Sequence, residues 1–201
     1  MSAFFDALIN ADRVATLAVN DFAGAFTDAV MPVLSNRTVM LPLYVILFAY
    51  IWYRLGWKKA LLILLAVVVS VGAIDQFANL IKNWAQRFRP CWDEYMIDNG
   101  LHVLEKRGGK YGFFSAHAAT CSGVATAVLF FFRKWGKGHP ERLLATLLVV
   151  WVALVSISRV YVGKHFIGDI LVGAVAGIIV AELLCRFIHW AITKFFAKFV
   201  D

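Results

Sequence analysis

Apolar residues gather in five blocks free of Asp, Glu, Lys and Arg: 38–53, 60–74, 116–132, 143–158 and 170–181. Each block, extended by its flanks, approaches the ~20 residues of a spanning helix, within a usable range of ~17–25. Five crossings follow. Residues 1–36 differ, because Asp6, Asp12, Arg13, Asp21 and Asp28 interrupt the apolar residues. They lack the charged n-region and continuous h-region of a cleaved signal peptide. Phe22, Phe26, Ala29 and Val33 recur at helical spacing, which predicts a segment lying in the interface or a sixth, poorly hydrophobic crossing. The expected fold is all-α, a polytopic transmembrane bundle of five or six spans in one domain, 1–201. Within it, 1–37 forms interfacial or first-span helices, 38–187 the helical core and 188–201 an amphipathic tail.

The longest polar connection runs from Lys82 to Gly112, with Arg-Pro at 89–90 and Gly-Gly at 108–109, and predicts a cap over one membrane face. Alternate threading of five spans puts 1–37, 81–115 and 159–169 on the cap's face. The opposite face receives 54–59, 133–142 and the C-terminal segment. Lys and Arg divide 10 to 10 between the faces and acids 10 to 3, so the count of cations does not orient the chain. The short basic turns do, with Arg54, Lys58 and Lys59 in one and Arg133, Lys134, Lys137 and Arg142 in the other, as in cytoplasmic hairpins.

Composition agrees with a bilayer protein. Of 201 residues, 61% are hydrophobic, against roughly 45–50% in soluble domains, and the mean hydropathy is +0.73. The net charge of +7 beside membrane helices reads as orientation signals and anionic-lipid contacts, with no nucleic-acid partner. Cys91, Cys121 and Cys185 imply no disulfide framework.

Three polar clusters converge on the cap's face. They are KNWAQRFRP with Lys82 and Arg89, FFSAH with Ser115 and His117, and SRVYVGKHFIGD with Arg159, His165 and Asp169. Each residue has a bland reading alone. The cations can be snorkelling anchors, Ser115 an N-cap, and His165 with Asp169 a helix-stabilising i, i+4 pair. Three cations, two histidines and a carboxylate at one site are better explained by a doubly charged phosphate. A histidine whose ring is fixed by Asp169 is a competent nucleophile, and a second histidine can protonate the leaving oxygen. An anion transporter would need the cations but not the His-Asp pair with a second His.

The order and spacing of these clusters resemble the type 2 phosphatidic acid phosphatases. That family's Lys, six residues, Arg-Pro matches Lys82, Arg89 and Pro90. Its Pro-Ser-Gly-His aligns with Phe114, Ser115, Ala116 and His117, and its Ser-Arg, five residues, His, three residues, Asp matches Ser158, Arg159, His165 and Asp169. The second motif departs at Phe114 and Ala116, where the turn geometry is in question; alanine is compatible with a first helical turn. The resemblance implies that Lys82, Arg89, Ser115 and Arg159 hold the phosphoryl oxygens. His165 attacks phosphorus to give a phosphohistidine, His117 acts as acid then base, and Asp169 orients His165. It implies no metal and no cofactor. Its lipid substrates include undecaprenyl pyrophosphate, ranked first here for the aromatic and cationic cap (Trp92, Tyr95, Lys106, Arg107, Lys110), then lipid A phosphate, phosphatidylglycerol phosphate and phosphatidic acid. It also implies a multi-pass protein of the bacterial inner membrane with a periplasmic site.

Several other residues have structural readings. Asp75, two turns before Lys82, reads as a support for Lys82 or a cap of the second span. Glu182 with Arg186 reads as an ion pair, Gly173 with Gly177 as a close helix contact, and Trp52, Tyr53, Trp57, Trp135 and Trp190 as an aromatic belt.

Overall fold

A computed structural model describes residues 2–22, 24–36, 38–136 and 141–196. Lys137 of the second basic turn and residues 197–201 of the expected tail lie outside the described residues. Eight helices are described: α1 Ser2–Asn20, α2 Ala25–Ser35, α3 Leu41–Leu55, α4 Trp57–Ala85, α5 Glu94–Asp98, α6 Ala116–Trp135, α7 Glu141–Tyr161 and α8 Ile167–Phe195. The five apolar blocks become α3, α4, α6, α7 and α8. Four of these are long and apolar enough to cross a membrane. The first block gives less than expected. With 15 residues, α3 is only ~22 Å long at 1.5 Å per residue. Pro42 sits in its first turn, and Gly56, at φ 81°, ends it and begins α4 directly. The expected 54–59 turn is therefore this glycine, with Arg54 closing one helix and Lys58 and Lys59 opening the next.

α6 is the central element and packs most extensively on α8, then on α4 and α7. Its close approach to α8 depends on small residues. A Cβ at Gly173 would lie 2.6 Å from the Ser115 carbonyl oxygen, and one at Gly177 would overlap the Ala119 carbonyl. Gly173 and Gly177 thus make the expected seam. Phe131, Val128 and Ala127 fill the core at the far end of α6, with Ile63, Trp151 and Cys185 around them.

At the end of α4, Gln86 turns left-handed (φ 47°), and its amide donates to the Lys82 carbonyl. The chain leaves the helix extended. Phe88 then pairs with Tyr111 in an isolated antiparallel bridge, the Arg89 amide donating to Lys110 O and the Gly112 amide to Arg87 O. Residues 90–110, including a short 3-10 turn and α5, form the cap between these points. The Cys91 amide also donates to Gly163 O, tying the cap to the α7–α8 connection. α1 and α2 touch that same face. Arg13 pairs with Asp93 at 2.7 Å, Asn20 bonds both the His102 backbone and Tyr161 O, and Ser35 bonds Glu105.

The other structural readings resolve simply. Glu182 and Arg186 pair at 2.7 Å. Trp52, Tyr53, Trp57 and Trp190 are exposed, while Trp135 is half-buried against Phe131. Cys91, Cys121 and Cys185 are buried thiols outside any disulfide.

Candidate active site

The connection between α7 and α8 carries the reactive groups. Arg159 lies in the last turn of α7, Lys164 and His165 follow the turn at Gly163 (φ 78°), and Asp169 occupies the first turn of α8. His165 and Asp169 are buried at 2% and 0% exposure, so their charges must be met within the protein. His165 is not helical, contrary to the i, i+4 helical reading. Phe166 caps α8, and Asp169 folds back to accept from the Phe166 amide at 3.1 Å. The same carboxylate oxygen, Oδ2, lies 3.4 Å from His165 Nδ1, long for a hydrogen bond but close for a charge contact. Nε2 is therefore the ring nitrogen on the side away from Asp169. Burial holds His165 below the ordinary imidazole range, at about 4, against the pull of Asp169; nearby Arg159 and Arg89 lower it further.

Arg89, Arg159 and Lys164 lie near this pair. Arg89 anchors its Nε on Tyr111 O at 3.1 Å. Burial lowers its pKa, opposed by Cys91, Asp169 and Glu105. Arg159 Nη1 bonds Ser35 O at 3.3 Å and the Ser35 hydroxyl, with Glu105 at 3.6 Å. Lys164, which the sequence reading passes over, is 4% exposed, donates to Lys106 O and lies 4.0 Å from Glu105. Burial lowers its pKa while Cys91 and Glu105 raise it. A cationic cluster at low dielectric, with one carboxylate of the cap against it, is suited to an anion. Glycines keep it open: a Cβ at Gly112 would come 2.8 Å from Arg89 Cγ, 3.4 Å from Asp169 Oδ2 and 3.5 Å from His165 Nδ1.

The second motif joins from α6. Ser115 is fully buried, caps α6 through Ala118 N at 3.4 Å, and gives its own amide to Asp169 O at 3.0 Å. Its amide is thus committed to Asp169, while its hydroxyl accepts the Ala118 amide and keeps its own proton to donate. Ala116 is buried in the first turn against Ile74, Ala78, Phe114 and Ala119, and the helix starts normally there. His117, one residue on, faces an apolar groove of about 410 Å³ between α3, α4 and α6. Ser35 lines the same groove, so the groove meets the cationic cluster at the Ser35–Arg159 contact. Exposed Leu41, Leu64 and Val68 border it. Lys82 is half-buried in the last turn of α4, before the break that carries Arg89 away, and Asp75 is half-buried two turns earlier.

Sequence reasoning also misses Arg87, Asp12 and Thr16. Arg87 donates to Asp169 Oδ1 at 2.8 Å and to Asp12 Oδ2 at 2.7 Å. Asp12 and Thr16 accept from the amides of Gly168 and Ile167 at 2.8 and 3.1 Å. The signal is the i, i+4 stripe Asp12, Thr16, Asn20 on α1, of which Thr16 and Asn20 are fully buried.

Comparison with known proteins gives a family-model match, to the PAP2 superfamily, over residues 59–193. A lipid A 4'-phosphatase of Bacteroides thetaiotaomicron is 29% identical over 172 residues, 85% of this chain and 73% of that protein. A lipid A 4'-phosphatase of Porphyromonas gingivalis is 30% identical over 180 residues, 89% and 73% of the two chains. The crystal structure of a transmembrane PAP2 type phosphatidylglycerolphosphate phosphatase from Bacillus subtilis superposes with a TM-score of 0.68. It is 25% identical, and the match covers 90% of this chain and 86% of that one.

Proposed function

This chain belongs to the PAP2 superfamily of membrane lipid phosphatases, and on that premise we propose that it hydrolyses a phosphate monoester on a lipid A-type glycolipid through a phosphohistidine on His165. Lys82, Arg89, Arg159 and Lys164 hold the phosphoryl oxygens, with the Ser115 hydroxyl as a further donor. His165 Nε2 attacks phosphorus in line while its Nδ1 faces Asp169, forming the N–P bond as the P–O bond to the lipid breaks. His117 gives its proton to the departing oxygen, then takes one from the water that hydrolyses the intermediate. The Ser115 amide also holds the start of α6 against Asp169. The clustered cations neutralise the charge that a metal ion carries in other phosphoryl-transfer sites, so the step needs no metal. The cap and site face the periplasm, by the basic residues at the opposite helix ends.

The observation that carries the lipid reading is the junction of the His117 groove with the cationic cluster, which sets a proton donor where an apolar leaving group meets its phosphate. The two glycolipid phosphatases among the relatives favour a lipid A-type monoester over undecaprenyl pyrophosphate, the substrate ranked first from sequence. Phosphate release by purified protein from a panel of lipid A, phosphatidylglycerol phosphate, phosphatidic acid and undecaprenyl pyrophosphate tests this. The expected result is the highest kcat/KM for lipid A. Release from undecaprenyl pyrophosphate alone would overturn the assignment.

A further inference from the structure

We propose that Arg87 and Asp12 are a positioning pair for the His165–Asp169 couple, making the N-terminal helix α1 a working part of the active site. This rests on the reading of His165 as nucleophile. Asp169 is fully buried and has two oxygens with different duties. Oδ2 faces His165 and the Phe166 amide, and Oδ1 receives Arg87 Nη1 at 2.8 Å. A carboxylate held on one side only can swing about its Cβ–Cγ bond; one gripped at both oxygens cannot. The grip is itself held. Arg87 Nη2 bonds Asp12 at 2.7 Å, and the guanidinium lies over the Phe166 ring at 4.1 Å from its centroid. Two carboxylates and an aromatic face fix the plane of the fork, an arrangement that a lysine ammonium does not reproduce. Asp12 in turn accepts from Gly168 N with its other oxygen, so α1 docks on the helical turn that bears Asp169. A Cβ at Gly168 would come 2.8 Å from Asp12 Oδ2, which leaves no room for a larger residue beneath that contact.

Arg87 differs from the phosphate-holding cations in where its donors go. Both of its terminal nitrogens are spent on carboxylates, whereas Arg89 gives its Nε to a carbonyl. Its function is therefore to set the direction of the Asp169 carboxylate, with the effect felt in turnover and not in anion affinity.

Steady-state kinetics of the purified full chain on dioctanoyl phosphatidic acid, with vanadate as the anion probe, separate these effects. Arg87→Gln is expected to lower kcat ~10–100-fold, the range seen when a partner orienting a functional histidine is removed, with KM and the vanadate inhibition constant changed less than ~3-fold. Asp12→Asn, which keeps every cation, shows the same split with a smaller fall. Millimolar guanidinium restores turnover to Arg87→Gly and urea does not. Arg87→Gln turning over within ~2-fold of wild type overturns the proposal. So does a loss of vanadate affinity matching the loss of kcat, which would make Arg87 a phosphate ligand. If Arg87→Gln does not fold, the kcat and vanadate values of Asp12→Asn decide. Labelled phosphate trapped on wild-type His165 checks the underlying reading separately: its absence removes the nucleophile assignment, whereas its presence with a normal Arg87→Gln removes only the positioning pair.

Discussion

Replacing Gly177 by alanine adds one methyl group at the tightest point of the α6–α8 seam. Its Cβ would lie 2.7 Å from the Ala119 carbonyl carbon and 2.8 Å from its Cα, besides overlapping the oxygen. Carbon atoms rest about 3.5–4.0 Å apart, so the helices must separate by ~1 Å. Backbone on the receiving side cannot rotate away as a side chain does. Overpacking of this kind costs ~1–3 kcal/mol, which at ~2–4 °C per kcal/mol lowers the melting temperature by ~2–12 °C. The same movement acts on the site. Ser115, at the head of α6, donates to Asp169 O at 3.0 Å, and a ~1 Å shift takes that bond past hydrogen-bonding range. His117 moves with it, and a misplacement of ~1 Å can cost ~100-fold in rate. Gly72→Ala is the control, since nothing lies within 4 Å of its added Cβ, and alanine favours the helix. Thermal unfolding in detergent and kcat on one lipid phosphate measure both effects. A Gly177→Ala protein that melts and turns over like Gly72→Ala would refute the seam's role.

His165→Ala is expected to abolish turnover and phosphoenzyme while keeping vanadate binding, since Arg89, Arg159 and Lys164 remain; retained turnover would transfer the nucleophile to His117. His117→Ala loses most on alkyl phosphates and least on an aryl phosphate, whose leaving group needs no proton; equal losses on both would exclude its role as acid. Since burial holds folded His165 at about 4, below its unfolded value of ~6.5, its contribution to stability is complete above ~6.5 and is lost as pH falls toward 4. Melting temperature against pH is accordingly steeper for wild type than for His165→Gln across that window, and parallel curves would count against a buried neutral ring. A cysteine at Lys110 reacts with a membrane-impermeant reagent in intact cells and one at Lys134 does not; the reverse pattern inverts the topology.

The convergence of the three motifs is legible in the sequence because the spans are unbroken apolar runs and the motifs sit at their ends. The glycine seam is legible for a similar reason, since Gly173 and Gly177 share a face of α8. What escapes is the second ring of contacts. Asp12, read only as one more charge interrupting an apolar segment, belongs to a stripe with Thr16 and Asn20 whose partners are 75 to 156 residues away in sequence, at the entry to the cap, within it, at the end of α7 and at the start of α8. Arg87 and Lys164 lie between motif positions, where spacing alone gives a cation no direction. His165 reads as helical because it stands four positions before Asp169; the N-cap geometry at Phe166 makes the same contact from an extended backbone. The length of α3 is hidden because hydrophobicity continues through 38–53 while Pro42 and Gly56 set its ends.

Phe88 and Tyr111 join the two ends of the cap through main-chain atoms, as do Arg89 with Lys110 and Arg87 with Gly112, while Cys91 with Gly163 fastens the cap to the α7–α8 connection. Such a clasp is indifferent to the side chains it fastens. The place of Arg89 is accordingly set by amides and carbonyls, whereas the 21 residues from Pro90 to Lys110 reach the site by side chain only where Glu105 meets Arg159 and Lys164. Changes on the outer surface of the clasped insert, away from Glu105, therefore leave the cation at its root undisturbed, and the bundle beneath need not be rebuilt to carry them.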